Sequence, residues 1–226
     1  GGGTATGTDT IAIGVRSNAS GILSIALGAD TVAQGINAAA IGPGAQARDD
    51  DTLALGTRAK ALAKYSTAIG NQATADKEFA LAAGYNANAS GDQSMALGFA
   101  AKTTGRAATA IGSASLAEGE FSVAVGQEAR TGEYFATALG YRSNASGWAA
   151  FAQGTSALAS GDASISIGEF SSATGHHSTA IGASSRANLD NSVALGRQSS
   201  TSTNAVTVQS ATVGDITYGG FTGAVS

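Results

Sequence analysis

Cysteine is absent from these 226 residues. Disulfide frameworks and thiolate chemistry are therefore excluded, although no compartment follows, because a surface protein can do without thiols. Proline occurs once and histidine twice. Charged residues make up only 12% of the chain against 43% hydrophobic ones, too little charge and too much apolar content for a disordered tail. A net charge of −4 promises no basic patch and argues against nucleic acid. No apolar run approaches the ~18 residues that would cross a membrane, and the first residues carry no signal-peptide pattern. The chain opens on three glycines and stops in mid-pattern, so it reads as a segment of a longer protein that makes no membrane contact itself.

What is abundant is glycine, and it is periodic. Glycine recurs every fourteen residues from Gly14 to Gly196, with no insertion. Taking that glycine as position 0, position −1 is Ile, Leu or Val in twelve of fourteen copies, with Ala83 and Gln153 as the exceptions. Position −2 is alanine except at Ser166. Position −3 is a large apolar residue in nine copies, threonine in four, and alanine at Ala39. Position +3 is always Ala, Ser or Thr, and position +5 always Ala or Thr. The pentapeptide STAIG at 66–70 and 178–182 is one phase of this repeat, seen eight periods apart.

Small and large residues alternate from −4 to −1, as in SMAL (94–97), and polar and small ones from +2 to +6, as in RSNAS (142–146). Alternation at period two means strand. Each fourteen then holds two short strands and two tight turns, and only stacking of successive turns can satisfy such short pieces. At about 4.8 Å per turn the stack is a parallel β-roll roughly 65 Å long. Two strands per turn leave a thin interior, so the strictly small positions −4, −2, +3 and +5 should face each other inside. No charged residue falls at −4 to 0, +3 or +5, which agrees.

Positions −3 and −1 are then apolar yet outside. The stripe runs the whole rod and covers roughly 450 Å² in flat projection, as much as monomers expose or more. It demands a partner of equal length, which another copy of the same chain supplies. The physics gives an obligate parallel homo-oligomer without its number. Gln153 interrupts the stripe and would form a polar layer at the axis that fixes register or holds an ion or ligand.

Same-phase residues become spatial neighbours. The +8 file reads Asp50, Lys64, Glu78, Asp92, Arg106, Glu120, mostly alternating in sign. Aromatics fall on adjacent rungs at Tyr65 and Phe79, Tyr85 and Phe99, Phe121 and Phe135, and Tyr134 and Trp148. These read as ladders clamping turns or subunit edges, or as ligand contacts. Tyr85, Phe99, Tyr134 and Trp148, with the basic residues Lys60, Lys102 and Arg130, are the candidate surface contacts. The pair His176–His177 sits in a turn without a carboxylate pair at ligand spacing in the sequence, and reads as solvated. No catalytic set, phosphate-binding loop, cofactor motif or metal motif is present: the expectation is no enzyme, no cofactor and no metal. The mixed outer positions lack the uniform threonine lattice of an ice-binding surface.

The step of fourteen in NSVALGRQSSTST (191–203) and STAIGASSRA (178–187) closely resembles the YadA-like head of trimeric autotransporter adhesins, over residues 1 to about 203. The resemblance implies an all-β, left-handed parallel β-roll assembled as a parallel homotrimer. Its core would hold Ile11, Ile13, Ile25, Leu27, Leu53, Leu55, Ile69, Leu97, Ile111, Val125, Leu139, Gln153, Ile167, Ile181 and Leu195. It also implies display on a bacterial cell surface through an outer-membrane anchor outside this chain. Binding would be to host matrix proteins, cells, abiotic surfaces or further copies of the protein. A rigid spacer that displays another binding domain is the alternative. Beyond Thr203 the phase slips by one residue, so 204–226 is expected to be a connector toward a neck or stalk, partly frayed or exchanging between subunits.

Overall fold

The computed structural model describes residues 2–201 in full and, further on, the backbone of four short strands. Three-residue strands occupy positions −3 to −1, from Ile11–Ile13 to Val193–Leu195, and build a 14-stranded sheet. Two-residue strands occupy +4 and +5, from Thr4–Ala5 to Ser200–Thr201, and build a 15-stranded sheet. Within these two sheets each strand pairs in parallel with the strand fourteen residues on, in strict register, as in Ile11↔Ile25 and Thr74↔Asn88. The chain is therefore an all-β parallel solenoid of 14-residue turns, and no helix occurs among the described residues.

The two sheets are joined by two turns that are near copies of each other. Residues at +2 and +9, seven apart, adopt left-handed φ values, for example 56° at Arg16 and 57° at Leu23. Each turn is closed by a backbone bond across three residues, Ser17 N–H to Gly14 O at 3.3 Å and Ser24 N–H to Gly21 O at 3.3 Å. A left-handed residue that is not glycine costs about 1–2 kcal/mol in isolation, so the ladder bonds hold these turns in place. Position 0 has a stricter reason to be glycine. Gly70 has φ of +127°, and a Cβ there would lie 2.4 Å from the carbonyl oxygen of Gly84 on the next rung.

The interior is as thin as the small-residue pattern requires. Among the described residues every buried apolar side chain is an alanine, and the largest fully buried side chains are threonines. These occupy −4, −2, +3 and +5, and the residues at −3 and −1 lie outside.

The last strand of the stack is Ser200–Thr201. Beyond it the pairing changes to antiparallel, Val206–Thr207 with Ala224–Val225 and Ser210–Val213 with Ile216–Gly219. The expected fraying or exchange of the 204–226 connector otherwise lies outside the described residues.

Candidate functional site

Three surfaces carry the candidate residues, and the fold keeps them apart. The first is the outer face of the 14-stranded sheet. The −3 and −1 files stand on it in register. Ile25, Leu27, Leu53, Leu97, Val125, Leu139 and Ile167 are half-buried by their neighbours. Ile11, Ile13, Leu55, Ile69, Ile111, Gln153, Ile181 and Leu195 are exposed. The polar break at Gln153 lies between Leu139 and Ile167. On its inner side stands the −2 exception, Ser166, whose buried hydroxyl bonds that of Ser171 at 2.7 Å.

The second surface is the edge formed by the +7 to +9 turn. Tyr65 stacks on Phe79 at 4.8 Å and Phe121 on Phe135 at 5.4 Å, as adjacent-rung spacing predicts. Trp148 differs from expectation: its ring meets Phe135 edge-on at 6.4 Å, with no stack on Tyr134. The +8 charge file is also less paired than its alternation suggests. Lys64 reaches Asp50 at 3.2 Å, but Arg106 turns over the ring of Phe121 at 5.4 Å. Aspartates in this file do a job the sequence reading missed. Asp50, Asp162 and Asp190 each accept the backbone N–H of the residue one rung earlier, Ile36, Trp148 and His176, at 2.8–3.0 Å. That bond and Lys64 hold the Asp50 carboxyl below the usual carboxylate range. His176 is accordingly flanked by carboxylates, with Nδ1 3.5 Å from Asp162. No group of three potential metal ligands forms among the described residues.

The third surface is the outer face of the 15-stranded sheet, built from positions +2, +4 and +6. Lys60, Lys102 and Arg130 all stand exposed on it at +4, in strands Lys60–Ala61, Lys102–Thr103 and Arg130–Thr131. Tyr85 stacks on Phe99 at 5.3 Å at +1, where the chain turns onto this face. The shortest ion pairs among the described residues lie here, in the +2 file, which sequence reasoning passed over. Arg16 grips Asp30 with two bonds of 2.5 and 2.7 Å, and Arg142 bonds Glu128 at 2.8 Å. These bonds lower the pKa of both carboxyls.

Folding also corrects the expectation of no basic patch. The +2, +4 and +6 positions carry eight basic residues against four acidic ones. The +7 to +9 edge carries three basic against ten acidic. A net charge of −4 thus conceals a basic face beside an acidic edge.

The family model described as the YadA head domain repeat matches nine stretches, which together cover residues 5–31, 33–129, 149–171 and 173–199. Among solved structures, the chain is similar to the crystal structure of the collagen-binding domain of Yersinia adhesin YadA. Identity is 28% and the TM-score 0.36, over 62% of this chain and 63% of that one. The match thus spans less than two-thirds of that protein's chain. No curated protein matches the sequence. The matched stretches cover most of the fourteen-residue turns, and the chain belongs to the YadA head domain repeat family.

Proposed function

We propose that this chain is the adhesive head of a bacterial cell-surface protein, acting as a parallel homotrimer of left-handed β-rolls. The observation that supports it most is the pair of mainly apolar files, interrupted by Gln153 at −1 and by four threonines at −3, that runs along one face of an alanine-cored roll. A core without any side chain larger than threonine gains little burial per residue, so covering the apolar files supplies much of the missing stabilisation. With that face turned to the axis, the +2/+4/+6 faces of the subunits point outward and repeat around it. Weak contacts to matrix proteins, cells or abiotic surfaces would then add polyvalently. The collagen-binding of the similar Yersinia protein makes matrix protein the first target to test. An outer-membrane anchor, a stalk and the assignment of 1–203 as head and 204–226 as connector complete the proposal.

One observation favours a second reading. The strand register never shifts from Thr4–Ala5 to Ser200–Thr201, and no loop is inserted anywhere. Binding loops are commonly insertions, so a rigid spacer carrying another domain is the alternative. Retention of the isolated protein on collagen, fibronectin, laminin, cells and plastic separates the two. Retention on at least one surface supports adhesion, and none on any supports the spacer.

A further inference from the structure

On the outer face of the 15-stranded sheet the side-chain files open into one elongated cleft of about 620 Å³. It runs from Asp30 to Asn86, four rung steps or roughly 19 Å along the rod. Its origin is local. The +2 file carries Asp30 on one rung and Arg58 two rungs on, but between them stands Gly44, with no side chain. The Arg58 stem leans toward the vacancy: a Cβ on Gly44 would meet Arg58 Cγ at 3.4 Å. The cleft is therefore a gap in a side-chain file, floored by rigid parallel backbone.

Its chemistry is specific. Arg58 and Lys60 both line it, both are exposed, and neither has a hydrogen-bond or ion-pair partner among the described residues. Asp30 is the acid of the lining, and Arg16 already holds it with two bonds. Gln46, Gln72 and Asn86 present side-chain amides that bond nothing else among the described residues. Each offers both donors and an acceptor. The stacked pair Tyr85 and Phe99 begins at the residue before Asn86. Two free cations among free amides, on a face with an excess of basic residues, call for a ligand with sparse fixed anions and many hydroxyls.

We propose that this cleft binds a sulfated, uronate-bearing polysaccharide strand of the glycosaminoglycan kind. Arg58 and Lys60 take sulfate or carboxylate oxygens by charge-assisted hydrogen bonds. The amides take sugar hydroxyls. Nucleic acid fits less well, because its charge density calls for more cations and for aromatics interleaved along the groove. The proposal rests on the adhesion reading and gives it a ligand class.

The test uses the whole protein and a chondroitin-sulfate-derived oligosaccharide, whose sulfates and carboxylates are spaced along the strand, titrated calorimetrically at about 0.15 M and about 0.5 M salt. Binding should weaken at the higher salt. Arg58→Gln with Lys60→Gln should weaken it at least about tenfold. Gly44→Asp should do the same by filling the gap with a carboxylate beside Arg58. The fold tolerates that change, since the same file holds Asp30 and Asn86 at φ of 58° and 54°. Arg142→Gln, on the same face but outside the cleft, should leave binding within about twofold. Circular dichroism verifies that each variant keeps its strands. The proposal is overturned by no binding, by equal binding of the desulfated oligosaccharide, by equal affinity of the cleft variants, or by stronger binding of polyglutamate or phosphatidylserine vesicles. Retention on protein-coated surfaces, measured alongside, separates the outcomes. A protein that adheres there but ignores the oligosaccharide refutes the cleft and leaves the adhesion reading standing.

Discussion

Two serines in the same file of the roll should respond oppositely to the same substitution. Ser66 and Ser94 both occupy position −4, and both are buried. The Ser94 hydroxyl accepts a bond of 2.8 Å from Thr103 across the thin interior. At the equivalent place facing Ser66 stands Ala75, and the Ser66 hydroxyl has no partner. The same holds for Ser24, Ser164 and Ser178, each opposite an alanine at +5. A buried hydroxyl without a partner costs about 1–3 kcal/mol. Ser66→Ala removes that cost and loses no hydrogen bond, and alanine already fills this position at Ala38 and Ala80. It should be neutral or stabilising by up to about 1–2 kcal/mol. Ser94→Ala leaves the Thr103 hydroxyl buried and unpaired and should destabilise by about 1–3 kcal/mol. Ala75→Thr, which rebuilds the Ser94–Thr103 arrangement two rungs earlier in the same files, should stabilise by about 1 kcal/mol. Denaturant midpoints at one fixed protein concentration measure all three, since an oligomer's stability depends on concentration. Ser66→Ala falling below Ser94→Ala in stability would refute the hydroxyl reasoning.

Other perturbations probe the remaining contacts. Ile69→Asp together with Ile181→Asp places unpaired carboxylates on the −1 file at a cost of at least about 3 kcal/mol per chain. The expected product is aggregate or unfolded chain in sedimentation and circular dichroism, and a folded monomer would refute the role assigned to that file. Gly70→Ala should destabilise by more than about 2 kcal/mol, because its Cβ meets the Gly84 carbonyl and its φ is unfavourable. Ala→Gly-sized effects in its denaturant midpoint would contradict the close approach. The carboxyls of Asp30, Asp50 and Glu128 have pKa values lowered in the fold by Arg16, by the Ile36 N–H and by Arg142 respectively. Their contribution is present above the ordinary carboxylate range near 4 and is lost as pH falls through the lowered values. Melting temperature should be flat near neutrality and fall below about pH 4, and Asp50→Asn should make that fall shallower.

The repeat was legible because one physical constraint acts identically on every rung. Position 0 must admit a carbonyl from the next rung, and −4, −2, +3 and +5 must fit a two-strand interior. Each requirement therefore appears fourteen times in one sequence. Aromatic stacking within a file followed from spacing alone, as at Tyr65 and Phe79. What spacing could not give was competition between files. Arg106 chose the Phe121 ring over its carboxylate neighbours, and Trp148 met Phe135 from the adjacent position. The basic face was hidden for a different reason. Total charge averages over positions, and sorting charges by position within the repeat would have exposed it. The cleft at Gly44 was the hardest to see, because a gap in one file shows only against the side chains on either side.

The account turns on what covers the −3 and −1 files, and the molar mass in solution by light scattering tests it most directly. The account predicts one species of three 21.9 kDa chains across a wide range of concentration. A folded, monodisperse species of one chain would contradict it, because the apolar stripe would then be stable in water without a partner.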